Sequence, residues 1–221
     1  MNAMEFFERS AGQWRSRRTT HHLALRRAET GTSLITVETL GPQDDRIQAI
    51  CQFHQVDGSE ALGGAFITWR GSMEWDQNEQ THDGASVFAL VPHPSPDASL
   101  DPEPSPEPGD PATGETSPKG ITSGGHLLRE QGYGEMVPVM GCYAMDPDDR
   151  LILATDYETL SATEYFWFGA PDLRIRISTV KRLGGFVTAS FCLETPYPEP
   201  EPTPSPAPGD FTPLPPSVWG W

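Results

Sequence analysis

The sequence predicts an all-β fold, an antiparallel β-barrel of about ten strands with a short N-terminal helix and one connecting helix. Short runs of β-branched and aromatic residues recur at near-regular spacing and are separated by glycine, proline and aspartate. Only two segments have the periodicity of a helix. Many short strands with little helix are typical of a closed barrel, whose interior can hold one small ligand when it has eight or more strands.

Proline separates one folded domain from two proline-rich segments. Nine of the 23 prolines lie in 92–118 and ten lie in 196–216, where they cannot supply the donors of a β-ladder. We therefore predict a single barrel domain over 1–195, interrupted by a proline-rich loop at 92–125, and a disordered proline-rich tail over 196–221. Roughly 165 residues remain outside these segments, a normal size for one domain with one core.

Charge and cysteine content argue against several classes of function. The net charge of −16 disfavours a nucleic-acid partner, because a phosphate-binding surface needs clustered Lys and Arg. Cys51, Cys142 and Cys192 have no CxxC spacing, so we expect free thiols in a reducing compartment. We predict neither secretion nor a membrane span, because the chain has no apolar signal region and no run of 18 apolar residues.

The adjacent histidines do not predict a metal site. His21 and His22 point to opposite faces of a strand, so they cannot bind the same metal ion, and no metal site is expected.

The first half of the chain contains both predicted helices. Residues 1–10 have apolar side chains near helical spacing and are expected to plug one end of the barrel. The second helix is predicted over 44–54, with Asp44 as its N-cap. The strands predicted in this half are 14–25, 33–40, 63–76 in two parts hinged at Gly71, and 86–91.

The second half is predicted to contain strands alone. Pro147, Asp148 and Asp149 form a turn between two of them. The predicted strands are 125–131, 138–145, 151–158, 161–168, 173–180 and 187–193.

The predicted hairpin over 162–190 brings charged and aromatic side chains together. Side chains alternate across a strand, so a slip of one residue in register inverts the faces. If Phe168 lies opposite Leu173, the two arginines of LRIRISTV lie beside Trp167, and Glu164 points to the other face. We favour the register in which Phe168 lies opposite Arg174, although alternating Arg and Ile also fits an ordinary strand with one solvated face. The favoured register gathers Glu164, Phe166, Arg174, Arg176 and Ser178 on one face.

Several separate blocks of the sequence have a recognisable pattern. They are WRSRRTTHHL, ITWRGSMEWD, LLREQGY and TEYFWF…LRIRISTVKR…GGFVTASFC. Together they resemble the CpcS/CpeS family of phycobiliprotein lyases, and the resemblance spans about 1–91 and 124–194 in order. It implies a lipocalin-like (calycin) barrel and chromophore lyase activity. The substrate would be an open-chain tetrapyrrole (bilin), phycocyanobilin or phycoerythrobilin, and the protein would need no cofactor of its own. The product would be a thioether between the bilin and a cysteine of an apo-phycobiliprotein subunit.

The resemblance also implies partners and a location. The acceptors would be phycobilisome subunits of the phycocyanin, allophycocyanin or phycoerythrin type, without nucleic acid or membrane as partner. The family pattern allows a homodimer or a heterodimer with a related lyase subunit. It implies a cytoplasmic location in a photosynthetic, cyanobacterial-type cytosol near the thylakoids.

The resemblance and the chemistry of a bilin point to the same residues. Guanidinium groups pair bidentately with propionates, a carboxylate holds protonated pyrrole nitrogens, and aromatic side chains form walls for the rings. The family has a glutamate ten residues before the first arginine of an Arg-x-Arg pair, and Glu164 and Arg174 keep that spacing. The expected catalytic residue is Glu164, and the expected ligand-binding residues are Arg174, Arg176, Trp69, Trp75, Arg18, Phe166, Trp167 and Ser178, with no metal ligand.

Other interpretations stay open from the sequence. Trp69 and Trp75 could be core aromatics, the cationic block around Arg18 could be a solvated strand face, and Ser178 could be an ordinary strand serine. A lipocalin-like, non-catalytic carrier of an apolar ligand such as a fatty acid is the alternative function. Such a carrier predicts an apolar interior with at most one arginine and no carboxylate. A scaffold that binds partners through its proline-rich segments is a further alternative.

Overall fold

A closed barrel of ten antiparallel strands is the framework of the part of the chain that the computed structural model describes, residues 1–73, 82–93, 121–129 and 139–198. The elements in order are α1 (Ala3–Ser10), β1 (Gly12–His22), β2 (Arg27–Leu40), α2 (Asp45–Phe53), β3 (Gly63–Met73), β4 (Gly84–Pro92), β5 (Ser123–Arg129), β6 (Met140–Met145), β7 (Leu151–Asp156), β8 (Leu160–Ala170), β9 (Leu173–Arg182) and β10 (Val187–Pro196). Each strand pairs with the next along the chain, and β10 pairs with β1. The predicted all-β barrel with two helices is confirmed.

Helix α1 covers the interior of the barrel at one end. A capping box fixes its beginning, because Asn2 accepts a hydrogen bond from the Glu5 backbone at 2.9 Å and Glu5 accepts one from the Asn2 backbone at 2.7 Å. Phe6 and Phe7 are buried in the core inside the barrel. The Phe6 ring also contacts the ring of Phe166, with 6.3 Å between the centroids.

Helix α2 packs on the outside of the barrel wall. Asp44 caps it, as predicted, by accepting a hydrogen bond from the Arg46 backbone at 2.9 Å. Its buried residues, Ile47 among them, pack with Val87 and Leu128. Neighbouring Phe88 belongs instead to the core inside the barrel, because successive side chains of a strand point to opposite faces. The wall therefore has apolar contacts on both sides here.

Among the predicted boundaries that differ from the structure, those of β3 and β2 have a clear physical reason. Strand β3 runs without interruption through Gly71, which pairs with Ser33, so the predicted hinge is wrong. A Cβ at Gly71 would lie 2.4 Å from the Ser33 Oγ, and the glycine therefore permits a close approach inside the ladder. Strand β2 begins at Arg27, earlier than predicted, because its ladder with β1 continues through polar residues that show no apolar alternation.

The proline-rich segments lie mostly outside the described residues. Strand β4 ends at Pro92 and β5 begins at Ser123, so the outer positions of the predicted loop 92–125 are strand residues. Residues 94–120 and 199–221 are not among those described. Among the residues that are, no helix is long and apolar enough to cross a membrane.

Candidate active site in the barrel cavity

The barrel encloses a cavity of about 400 Å³, within the usual range of small-molecule sites. Apolar and aromatic side chains from α1 and the strands form much of its lining, including Phe6, Ile35 and Phe88. Among the described residues, the charged side chains that line it are Arg18, Arg129, Arg174, Arg176, Glu164 and Glu194. Four arginines against two glutamates give this described lining a formal excess of two positive charges (4 − 2). The cavity is thus suited to an anionic ligand with an apolar body.

The hairpin of β8 and β9 adopts the register that we favoured from the sequence. Phe168 lies opposite Arg174, Phe166 opposite Arg176 and Glu164 opposite Ser178. A β-bulge between Phe168 and Ala170 absorbs the glycine before the turn. Glu164 and both arginines consequently share the inward face.

A buried ion pair joins Arg174 to Glu194 of β10. The Arg174 Nε donates to Glu194 Oε2 at 2.6 Å, and the side chains are 5% and 1% exposed. The Ser16 hydroxyl donates to the other carboxylate oxygen at 3.3 Å. Burial lowers the pKa of Arg174, and the charge of Glu194 opposes that effect. Arg174 is therefore held in place mainly by a residue that we did not identify from the sequence.

Arg176 lies between the two carboxylates. Its Nη1 donates to Glu164 Oε1 at 3.4 Å, and its Nε is 3.5 Å from Glu194 Oε1. Its Nη2 donates to the Cys192 sulfur at 3.4 Å. Burial by itself would lower the pKa of Arg176, but the attraction of Cys192, Glu194 and Glu164 outweighs burial and raises it above its usual value. Arg176 stays charged, and it connects Glu164 to Glu194.

Arg129, on β5, is a second functional candidate that sequence reasoning missed. Its Nη2 is 3.8 Å from Glu164 Oε2, and its Nη1 donates to the Tyr157 hydroxyl at 3.4 Å. The guanidinium lies over the Phe88 ring, 4.7 Å from the centroid. Arg129 belongs to the LLREQGY block, one of the blocks that carry the family resemblance. Its position in that block and in a predicted strand was the sequence signal that could have identified it.

The structure brings together most of the residues predicted for the site. Arg18, Trp69 and Phe166 line the cavity with Glu164, Arg174 and Arg176. Ser178 is on the inward face but is not among the lining residues. Trp75 lies outside the described residues.

The expected wall role of Trp167 is wrong. Trp167 is the strand neighbour of Phe166 and lies opposite Ile175, so its side chain points away from the cavity that Phe166 lines. The register that puts Glu164 and Arg174 inside the barrel necessarily puts Trp167 outside, because side chains alternate along a strand.

The three cysteines of the chain are poor nucleophiles. Cys192 is wholly buried, and burial raises the pKa of its thiol even though Arg176 opposes that effect. Burial also raises the thiol pKa values of Cys51 and Cys142. All three are free cysteines, as predicted. No group of three or more His, Cys, Asp and Glu suited to a metal ion occurs in the described ranges.

Comparison with known proteins shows the family. A family model described as CpeS-like protein matches residues 2–99 and 113–196. This chain belongs to the CpeS-like family. Two relatives in the family are Chromophore lyase CpcS/CpeS 2 of Synechocystis sp., 48% identical over 88% of this chain and 88% of the relative, and Phycocyanobilin lyase subunit CpcS of Picosynechococcus sp., 50% identical over 87% of this chain and 85% of the relative.

A solved structure of the family has the same fold. The S-type phycobiliprotein lyase CPES from Guillardia theta superposes with a TM-score of 0.67 at 29% identity, and the match covers 89% of this chain and 93% of that chain. The ten-stranded barrel with two helices therefore agrees with a CpeS-like protein whose structure is known.

Proposed function

We propose that this protein binds an open-chain tetrapyrrole in the barrel cavity and attaches it by a thioether bond to a cysteine of an apo-phycobiliprotein subunit. It is a chromophore lyase, the activity named for relatives that are 48% and 50% identical to it. The observation that most directly supports the choice of substrate is the charge of the cavity, where the described lining has four arginines against two glutamates among many apolar side chains.

A bilin matches the charge and the aromatic side chains of the described lining. Its two propionates carry two negative charges, equal in number to the positive excess of the described lining residues (4 − 2). An uncompensated charge inside a protein is costly, so a dianionic ligand stabilises this arrangement and a neutral one does not. Phe88, Phe166 and Trp69 supply flat apolar surface for the conjugated rings.

The mechanism assigns a separate task to each group. Arginines of the cavity, Arg176 among them, hold the propionates, and Glu164 holds the protonated pyrrole nitrogens, which keeps the ethylidene group of ring A electrophilic. The thiol of the acceptor subunit adds across the ethylidene double bond, so that a C–S bond forms and the thiol proton ends on the tetrapyrrole. No oxidant or reductant is needed. The lyase lowers the barrier chiefly by orientation, with modest acid assistance from Glu164.

The nucleophile in this reaction comes from the partner. Burial keeps Cys192, the thiol beside Arg176, in its protonated form at neutral pH, because its pKa is raised. A reactive thiol inside the cavity would compete for the bilin. The inert state of Cys192 is therefore consistent with transfer to another protein.

An apolar carrier fits the cavity less well. It would need an interior with at most one arginine and no carboxylate, whereas this cavity has Glu164 and Glu194 among its charged groups. Mixing the protein with phycocyanobilin separates the two functions. A lyase should shift and sharpen the visible absorption of the bilin, and a fatty-acid carrier should leave it almost unchanged.

Attachment is tested by co-expression with bilin-synthesis enzymes and individual apo-subunits, followed by zinc-stained gels. The wild type should label at least one subunit, and Glu164→Ala and Arg176→Ala should reduce labelling by at least tenfold, because each removes a charge-assisted contact. Arg150→Ala is the matched control, since Arg150 is half-exposed and pairs with surface aspartates. Full labelling by both cavity variants would contradict the proposed function.

A further inference from the structure

Arg129 is held more loosely than Arg174, although both line the cavity. Its contact with Glu164 is 3.8 Å and its contact with Tyr157 is 3.4 Å, longer than the 2.7–2.9 Å or so of a well-formed charged hydrogen bond. Its Nε is buried without a hydrogen-bond partner in the described part of the chain. Since a buried polar group is normally paired, this guanidinium has donor capacity that the protein leaves unused.

The position of Arg129 indicates which kind of ligand could accept a hydrogen bond from its unused donor. Glu164 is 3.8 Å from the Arg129 Nη2 through one oxygen and 3.4 Å from the Arg176 Nη1 through the other. Two guanidinium groups therefore flank one carboxylate. A ligand with carboxylates on two neighbouring rings can meet one arginine on each side, while its ring nitrogens lie near the carboxylate between them.

Arg174 is a weaker candidate for direct contact. Its Nε is 2.6 Å from Glu194, and its side chain is only 5% exposed. Its guanidinium also lies over the Trp14 ring, 4.6 Å from the centroid. The Arg129 side chain is 13% exposed, and that of Arg176 is 23% exposed. The two arginines beside Glu164 are thus more accessible than the arginine beside Glu194.

We propose that Arg129, together with the Tyr157 hydroxyl, forms a second carboxylate site in the cavity, which binds one propionate of the bilin while Arg176 binds the other. The inference rests on the proposed function, because it takes a bilin as the ligand. It makes Arg174 a positioning residue that acts through Glu194. It also assigns a role to β5 and to the residue that follows β7, two places where the sequence predicted no site residue.

The test compares a free acid with its ester. Wild type, Arg129→Gln and the surface control Arg150→Gln are titrated with phycocyanobilin and with phycocyanobilin dimethyl ester, and the change in visible absorption is followed. Arg129→Gln should weaken binding of the free acid about 10- to 100-fold, the loss expected for one charge-assisted contact. Its effect on the ester should stay within about threefold, because the ester cannot form that contact. Arg150→Gln should bind both like the wild type.

The possible results separate this inference from the proposed function. If the wild type binds neither form, both are overturned. If the wild type binds the free acid and Arg129→Gln binds it equally well, only the second carboxylate site is overturned. An equal loss of acid and ester would also overturn it, since this would show a structural role for Arg129.

If Arg129→Gln does not fold, Tyr157→Phe provides a second test of the proposed carboxylate site. This variant removes a single hydroxyl group and should weaken binding of the free acid by about 10-fold, as expected for one hydrogen bond from a hydroxyl to a charged carboxylate. Binding of the ester should not change. Unchanged binding of the free acid by a folded Tyr157→Phe would overturn the proposal.

Discussion

At the scale of single residues, buried charge sets both the stability and the chemistry of this protein. Arg174 and Glu194 are almost completely buried and only 2.6 Å apart. Removing one member of such a pair leaves an uncompensated charge, whereas replacing both by uncharged groups of similar size costs much less. The pair therefore contributes less net stability than its short distance suggests, and its main effect is to fix the position of Arg174.

Arg174→Met should lower the free energy of unfolding by about 3–5 kcal/mol, because it leaves the Glu194 carboxylate buried and without its closest cation. The double variant Arg174→Met/Glu194→Gln should recover a large part of that loss. Urea unfolding followed by circular dichroism measures both. A double variant as unstable as the sum of the single variants would show that charge compensation is not the cause.

At the scale of elements, a glycine sets how closely β3 and β4 approach. Gly64 pairs with Ala89 across the two strands. A Cβ at Gly64 would lie 1.8 Å from the Phe88 carbonyl oxygen and 2.9 Å from the Ile47 Cδ1. Because one of these atoms belongs to the backbone, a side chain could be placed here only if the strand moved.

Gly64→Ala should lower the free energy of unfolding by about 1–3 kcal/mol, since the added methyl group overpacks the wall between β4 and α2. Gly41→Ala is the control, because no atom lies within 4 Å of a Cβ at that position. Thermal and urea unfolding of the two variants give the comparison. Equal stability of both would contradict the close approach of the strands.

At the scale of the whole molecule, the barrel closes without the proline-rich segments. The His93 backbone donates to the Gly124 carbonyl at 3.2 Å, so the chain ends on either side of 94–120 lie next to each other. At the other seam, β10 pairs with β1, and the Tyr197 backbone donates to the Gln13 carbonyl at 2.8 Å. Every strand of the closed ladder belongs to the described residues.

Replacing 94–120 with a four-residue Asn/Gly turn and removing 199–221 should therefore leave the fold and bilin binding intact. The shorter loop should raise the free energy of unfolding by about 1–2 kcal/mol, because closing it costs less chain entropy. Urea unfolding and titration with phycocyanobilin measure the two effects. Intact folding with lost subunit labelling would instead assign partner binding to the proline-rich segments.

The sequence by itself determined the all-β class, the number of strands and both helices. Periodicity and turn residues are local signals, and each observed helix and strand of the barrel corresponds to a predicted one, although the two parts predicted for 63–76 form the single strand β3. For the β8–β9 hairpin, the short turn limited the choice to two registers, and one of them puts Glu164, Arg174 and Arg176 on the same face. The sequence could thus group these three side chains without showing that their face points inward.

Only the tertiary structure decided which partners those side chains meet. Glu194 reaches Arg174 from β10, and Arg129 reaches Glu164 from β5. These contacts depend on the closure of the barrel and on the register of every strand pair that separates the two residues. No single segment of the sequence encodes those registers. Alternation along β8 already separates Trp167 from Glu164, and only the closed barrel decides which of these two faces is inside.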